Sequence, residues 1–123
     1  MNCISTEKAP AALGPYSQAV KAGDLLYISG QIPLDPASGK IAGAGIDRQT
    51  EQVCKNIDAI LKAAGSDFDK VVKATCFLAD MDDFPVFNEV YGKYFISKPA
   101  RSCVAVSKLP KGALCEVDVI AEL

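Results

Sequence analysis

The chain has 123 residues, half of them hydrophobic and 23% charged, with a formal net charge of -2. That length supports one domain, residues 1–123, with an apolar core of its own, and the composition excludes a disordered chain or a surface built to coat a phosphate backbone. No histidine occurs, which excludes Ser-His-Asp and Cys-His catalysis and any zinc site needing imidazole.

The opening stretch MNCISTEKAP has no basic start followed by an apolar block, and no apolar run approaches the roughly 20 residues of a spanning helix. A soluble, unexported chain is expected. Cys3, Cys54, Cys76, Cys103 and Cys115 are odd in number and form no C-x-x-C pair, which fits free thiols in a reducing, cytoplasmic setting. Cys3 reads as a tail residue. Residues 16 to 21 and 24 to 29 read as two strands about the turn signal Ala22-Gly23-Asp24, a hairpin. Pro33 to Gly45, with Asp35-Pro36, Gly39, Gly43 and Gly45, carries turn chemistry throughout and reads as a surface loop.

Val53, Ile57, Ile60, Leu61 and Ala64 recur at helical spacing. They predict a helix over about 47 to 64, with Asp47 as N-cap and Gly65 as the left-handed residue that ends it. The run KVVKATCFLA, from Lys70 to Ala79, predicts a buried strand. A second helix follows with Asp82 as N-cap and Pro85 in its first turn. It runs to about Tyr94 and presents Phe84, Phe87, Val90, Tyr91, Tyr94 and Phe95 as an apolar face. Strands near 101 to 107 and 114 to 122 flank the turn Leu-Pro-Lys-Gly at 109 to 112. The order ββ-α-β-α-ββ indicates an α+β layer with both helices on one face of the sheet. The opposite face, left open in a lone chain, is expected to be covered by self-association.

Arg101 lies at the start of an apolar strand, in Pro99-Ala100-Arg101-Ser102-Cys103. Its planar fork suits a carboxylate, and on sequence grammar it reads equally as a structural ion pair. Glu116 interrupts Leu114-Cys115-Glu116-Val117-Asp118, where apolar neighbours would raise its pKa toward a useful range; read singly, it also fits an edge-strand charge facing water. Cys103 shares the side of the strand on which Arg101 lies. With no histidine to activate it, it reads as a small pocket-lining side chain rather than a nucleophile. Tyr16, Ser29 and Asn88 are polar groups in apolar company, which by physics alone fit turn or hydrogen-bonding roles. Gly43-Ala44-Gly45 lacks the third glycine and preceding strand of a dinucleotide fingerprint, and no phosphate loop is present.

Five blocks together carry a resemblance over nearly the whole length: APAALGPYSQAV at 9 to 20, LLYISGQIPLDPASG at 25 to 39, QVCKNIDAILKAAG at 52 to 65, VVKATCFLADMDDFPVFNEVYGKYF at 71 to 95, and PARSCVAVSKLPKGALCEVDVIAEL at 99 to 123. The chain resembles the Rid/YjgF family of reactive-intermediate deaminases, whose signature region corresponds to the last block. The resemblance implies a chorismate-mutase-like α+β fold with a mixed, mostly antiparallel sheet. It also implies a homotrimer whose sheets form a central barrel and whose ligand clefts lie between subunits. The implied activity is hydrolysis of 2-imino or enamino acids, such as 2-iminobutanoate and 2-iminopropanoate, to 2-keto acids and ammonia, with no metal and no organic cofactor. The imines would come from pyridoxal-phosphate dehydratases acting on serine or threonine.

By the same resemblance Arg101 would bind the substrate carboxylate with the backbone at Cys103 nearby, Glu116 would position or activate the water, and Tyr16, Ser29 and Asn88 would line the pocket. Two departures stand out: the short Ile-Ser-Lys connection between Phe95 and Pro99, where many relatives have more residues, and Val117, where Ile or Met is commoner. The alternatives are a non-enzymatic regulatory trimer that binds a small carboxylate, an RNA-cleaving translation inhibitor, and a chaperone-like holdase. The acidic balance and lack of clustered basic or aromatic residues speak against RNA, and no membrane partner is expected.

Overall fold

In the computed structural model, which describes residues 1–123, six strands form one sheet. They are β1 (Asn2–Ile4), β2 (Ala19–Ala22), β3 (Leu25–Gln31), β4 (Val71–Leu78), β5 (Ala100–Ala105) and β6 (Cys115–Glu122), in the spatial order β1-β2-β3-β6-β4-β5. Every pairing is antiparallel except β4 with β5. A parallel pair needs a crossover, and helix α2 (Phe84–Tyr94) supplies it. Helix α1 (Ile46–Ala63) connects β3 to β4. No helix is long and apolar enough to cross a membrane.

The β2–β3 hairpin turns on Gly23, whose φ is +61°, while Asp24 keeps a negative φ. A single left-handed residue at the first loop position matches the right-handed twist of the flanking strands. Helix α1 ends as expected: Gly65 has φ +79°, its N–H donates to Lys62 O, and the Ser66 N–H donates to Leu61 O. That paired return to the last carbonyls is the Schellman arrangement.

Period-two alternation decides what each strand buries. Along β6, Cys115, Val117, Val119 and Ala121 are buried, while Glu116, Asp118 and Ile120 point to the other face. The buried set joins Ala74, Cys76 and Leu78 of β4, Leu26 and Ile28 of β3, and Val53, Ile57, Ile60, Leu61 and Phe87 of the helices in one core. Both helices therefore cover the same face. The open face carries the exposed side chains of Tyr27 and Val104 and the half-buried Phe77 and Ile120, interspersed with Thr75, Glu116 and Asp118.

Three local expectations are corrected. The N-terminal stretch is not a loose tail, because Asn2–Ile4 pairs with Ala19–Lys21. Backbone ladder bonds secure it, and three mostly exposed residues carry no alternation by which to recognise a strand. Asp47 lies in the first turn of α1, where its charge suits the helix dipole, but the N-cap position is Gly45. Asp82 does not cap α2. The Asp80 carboxylate accepts from the Asp82 N–H at 2.8 Å and caps a short 3-10 turn, Met81–Asp83, from which α2 continues.

Candidate functional site

The sheet register fixes where the candidate side chains point. In the parallel β4–β5 pair, Ala74 faces Arg101 and Cys76 faces Cys103. Both β4 residues belong to the helix-side core, so Arg101 and Cys103 also lie on the helix side, under α2. Glu116 pairs with Phe77, which alternates to the open face. Within one chain, therefore, Arg101 and Glu116 are on opposite faces of the sheet with β4 between their strands. No single-chain cleft contains both.

The arginine side is built by α2. Arg101 Nη1 donates to Asn88 Oδ1 at 2.6 Å, and its Cζ lies 4.7 Å from the centroid of the Tyr91 ring and 5.4 Å from that of Phe84. Cation–π contact and a side-chain acceptor together orient the guanidinium plane. No acidic side chain pairs with Arg101, so the structural ion pair that the sequence left open does not form. A cleft of about 610 Å³ opens beside it, lined by Asn88, Tyr91, Phe95, Ile96, Lys98 and Arg101 among others. The short connection before Pro99 forms its rim, and Lys98 adopts φ +51° there.

Cys103 is half-buried on the same strand face as Arg101. Burial pushes its thiol pKa up, against the pull of Arg101 and of the neighbouring Cys76 thiol. A protonated thiol is a poor nucleophile, consistent with a lining role. The Cys76 and Cys115 thiols are pushed up to about 12, chiefly by burial, and no three His, Cys, Asp or Glu side chains converge to hold a metal ion.

The glutamate side is built by a β-bulge. Ile28 pairs with Val119 but Gln31 pairs with Val117, so Ser29 and Gly30 together oppose one residue of β6. The extra residue brings Gly30 against the Glu116 carboxyl: a Cβ at position 30 would lie 2.3 Å from Oε2. The Ser29 hydroxyl donates to Ser17 O at 2.6 Å and its N–H to Gln18 O at 3.0 Å. These bonds tie down the segment that carries Tyr16. Tyr16, 56% exposed, shares with Glu116 a cleft of about 230 Å³ that Gly30, Gln31, Pro110 and Lys111 also line. Two buried polar residues of α1 hold the backbone around this cleft. Asn56 donates to Ile32 O and Leu34 O, and Gln49 accepts from the Leu114 N–H at 2.8 Å. Half-burial, then the neighbouring Asp118, raises the pKa of Glu116 above the ordinary carboxylate value.

The six singled-out residues thus fall into two half-sites: Arg101, Asn88 and Cys103 on the helix side, and Glu116, Tyr16 and Ser29 on the other. Sequence reasoning passed over Tyr91 and Gly30. Tyr91 was absorbed into the apolar face of α2, although its spacing of three from Asn88 places the two on one side of a helix. Gly30, in Ser29-Gly30-Gln31, carries the signal of an isolated glycine inside a strand pattern, which marks a bulge or a close approach.

Residues 6–123 match the family described as Endoribonuclease L-PSP. The mouse (Mus musculus) protein named 2-iminobutanoate/2-iminopropanoate deaminase is 53% identical over 119 residues, covering 96% of this chain and 88% of its own length. A Lactococcus lactis protein carrying a regulator's name, AldR, is 56% identical over 124 residues, covering 100% of this chain and 98% of its own. Among solved structures, E. coli TdcF with bound serine superposes with a TM-score of 0.95 at 39% identity, over 100% of this chain and 99% of that one.

Proposed function

The chain belongs to the Endoribonuclease L-PSP family, the YjgF/Rid group, and from that membership we propose that it hydrolyses 2-imino acids such as 2-iminobutanoate and 2-iminopropanoate. The observation that carries this reading is the split of one chemical toolkit into two incomplete halves. An oriented guanidinium free of any carboxylate partner waits on one face, and a proton-affine carboxyl sits on the other. A homotrimer that covers the open sheet faces and sets the β5 edge of one subunit against the open face of the next brings the Arg101 cleft to Glu116 of the partner subunit.

In that cleft the Arg101 fork holds the substrate carboxylate bidentately. Glu116 of the partner subunit accepts a proton from water as the oxygen adds to the C=N carbon, and then returns it to nitrogen. The carbinolamine collapses to the 2-keto acid and ammonia, with no net consumption of the carboxyl. An iminium carbon is already electrophilic, so positioning and one proton shuttle supply the chemistry. The imines are those released by pyridoxal-phosphate dehydratases from serine or threonine. The test generates 2-iminobutanoate in situ with a dehydratase and follows keto-acid formation. Acceleration over the dehydratase alone supports the reading, and coincident traces reject it.

Two further outcomes follow from the glutamate side. Gly30→Ala places a methyl group where the Glu116 carboxyl lies, and turnover is expected to fall roughly 10- to 100-fold, as for other displacements near an ångström. Circular dichroism should show the fold retained. The pH dependence has a definite sign. A base must be ionised to work, so turnover should fall as pH drops through the raised Glu116 pKa, at a higher pH than an ordinary carboxylate gives. Stability runs the other way. The folded state holds the Glu116 proton more firmly than the unfolded chain does, so this contribution is present at low pH and lost as pH rises through the folded value. A pH–rate profile with an acid limb at or below the free-glutamate value would contradict the assignment.

A further inference from the structure

Tyr91 is 7% exposed, and its hydroxyl is the one buried side-chain polar atom in the chain without a hydrogen-bond partner. Its ring stacks on Phe95, at 4.0 Å and 10°, and lies 5.7 Å from Phe87 at 29°. Phenylalanine would satisfy that stack and leave no oxygen unpaired, so packing explains the ring and not the hydroxyl. The guanidinium of Arg101 lies 4.7 Å over the same ring. Burial and the nearby Cys76 push the phenol up to about 12, and Arg101 pulls it back, its guanidinium coming near the hydroxyl without meeting hydrogen-bond geometry in this structure.

A guanidinium carries five N–H groups. Asn88 accepts one, and a bidentate carboxylate takes two more. The remaining two lose water once a ligand and a second subunit close over the cleft. The geometry points to Tyr91 as a positioning residue whose hydroxyl oxygen accepts a guanidinium N–H of Arg101 when a carboxylate is bound, so that Asn88 and Tyr91 set the fork's plane from two sides. This rests on the carboxylate-clamp reading of Arg101 given above.

The experiment compares wild type with Tyr91→Phe by kinetics on 2-iminobutanoate, by calorimetry with 2-oxobutanoate, and by NMR of protein labelled with ¹⁵N-arginine. The chain has two arginines, Arg48 and Arg101, so Arg101→Lys identifies the signals. In Tyr91→Phe, KM and the 2-oxobutanoate Kd should rise about tenfold, the size of one hydrogen bond to a charged group, with kcat within about twofold. Tm should hold or increase, because an unpaired buried hydroxyl has gone. The 2-oxobutanoate-bound wild type should show resolved Arg101 Nη protons that coalesce in the variant. A purely structural tyrosine would move neither KM nor these signals. If wild type hydrolyses the imine and Tyr91→Phe matches it in KM and NMR, the positioning role is overturned and the deaminase stands. If wild type hydrolyses nothing, yet the two proteins differ in Arg101 signals on adding 2-oxobutanoate, the deaminase reading falls and the positioning role survives. A wild type that neither hydrolyses the imine nor binds 2-oxobutanoate overturns both.

Discussion

Arg101→Ala should lower kcat/KM for 2-iminobutanoate by about two to three orders of magnitude, leaving the dehydratase-coupled assay near its uncatalysed rate. The size follows from the contact removed. A desolvated, bidentate arginine–carboxylate pair is worth roughly 2–5 kcal/mol when one partner is truncated, and each 1.4 kcal/mol is about a factor of ten. Most of the loss should appear in KM. The fold should survive, because Arg101 is half-buried on the edge strand β5, outside the central core. Arg101→Lys should recover little of the loss. An ammonium keeps the charge but lacks the planar fork that sits over Tyr91, bonds Asn88 and can present two parallel donors at once. Full activity in the lysine variant would show that charge alone suffices.

Glu116→Gln should act on the other kinetic constant. Removing a general base typically costs about 10²–10⁴ in turnover, while the arginine clamp is untouched, so kcat falls and 2-oxobutanoate affinity stays close to wild type. The amide is nearly isosteric with the acid and relieves the burial of a charge, so folded stability at neutral pH should not decrease. This variant separates an enzyme from a trimer that only binds a small carboxylate as a regulator. A binder would keep every property in Glu116→Gln. A formal net charge of -2 does not favour an RNA-cleaving role.

The fold was legible wherever periodicity carries information. Val53, Ile57, Ile60 and Leu61 placed α1 because helical spacing and burial coincide there, and Gly65 marked its end because few other residues take a positive φ so readily. Strand β1 was not legible, since its cohesion comes from backbone pairing to Ala19–Lys21 and none of its side chains is fully buried. The helix caps erred for a related reason: several residues near each start are competent caps, and local geometry put Gly45 at the start of α1, Asp83 at the start of α2 and Asp80 before the short turn that leads into it. At the candidate site, residue types were easier to pick out than their arrangement. Arg101 and Glu116 stood out as residue types in unusual company, but the sheet order that puts them on opposite faces is a long-range property of β4, β5 and β6. Gly30 mattered through an ångström-scale approach to Glu116 that only coordinates reveal.

The division of Arg101 and Glu116 between two subunits is tested most directly by mixing two inactive proteins. Arg101→Ala and Glu116→Gln are unfolded together, refolded at equal concentration and assayed on 2-iminobutanoate. In a cyclic assembly each cleft draws its arginine from one subunit and its glutamate from the next, so about a quarter of the clefts regain both by random mixing. Recovery near that fraction is the predicted outcome. Activity no higher than that of the separate variants, with mixed oligomers shown to form, would contradict a site shared between chains.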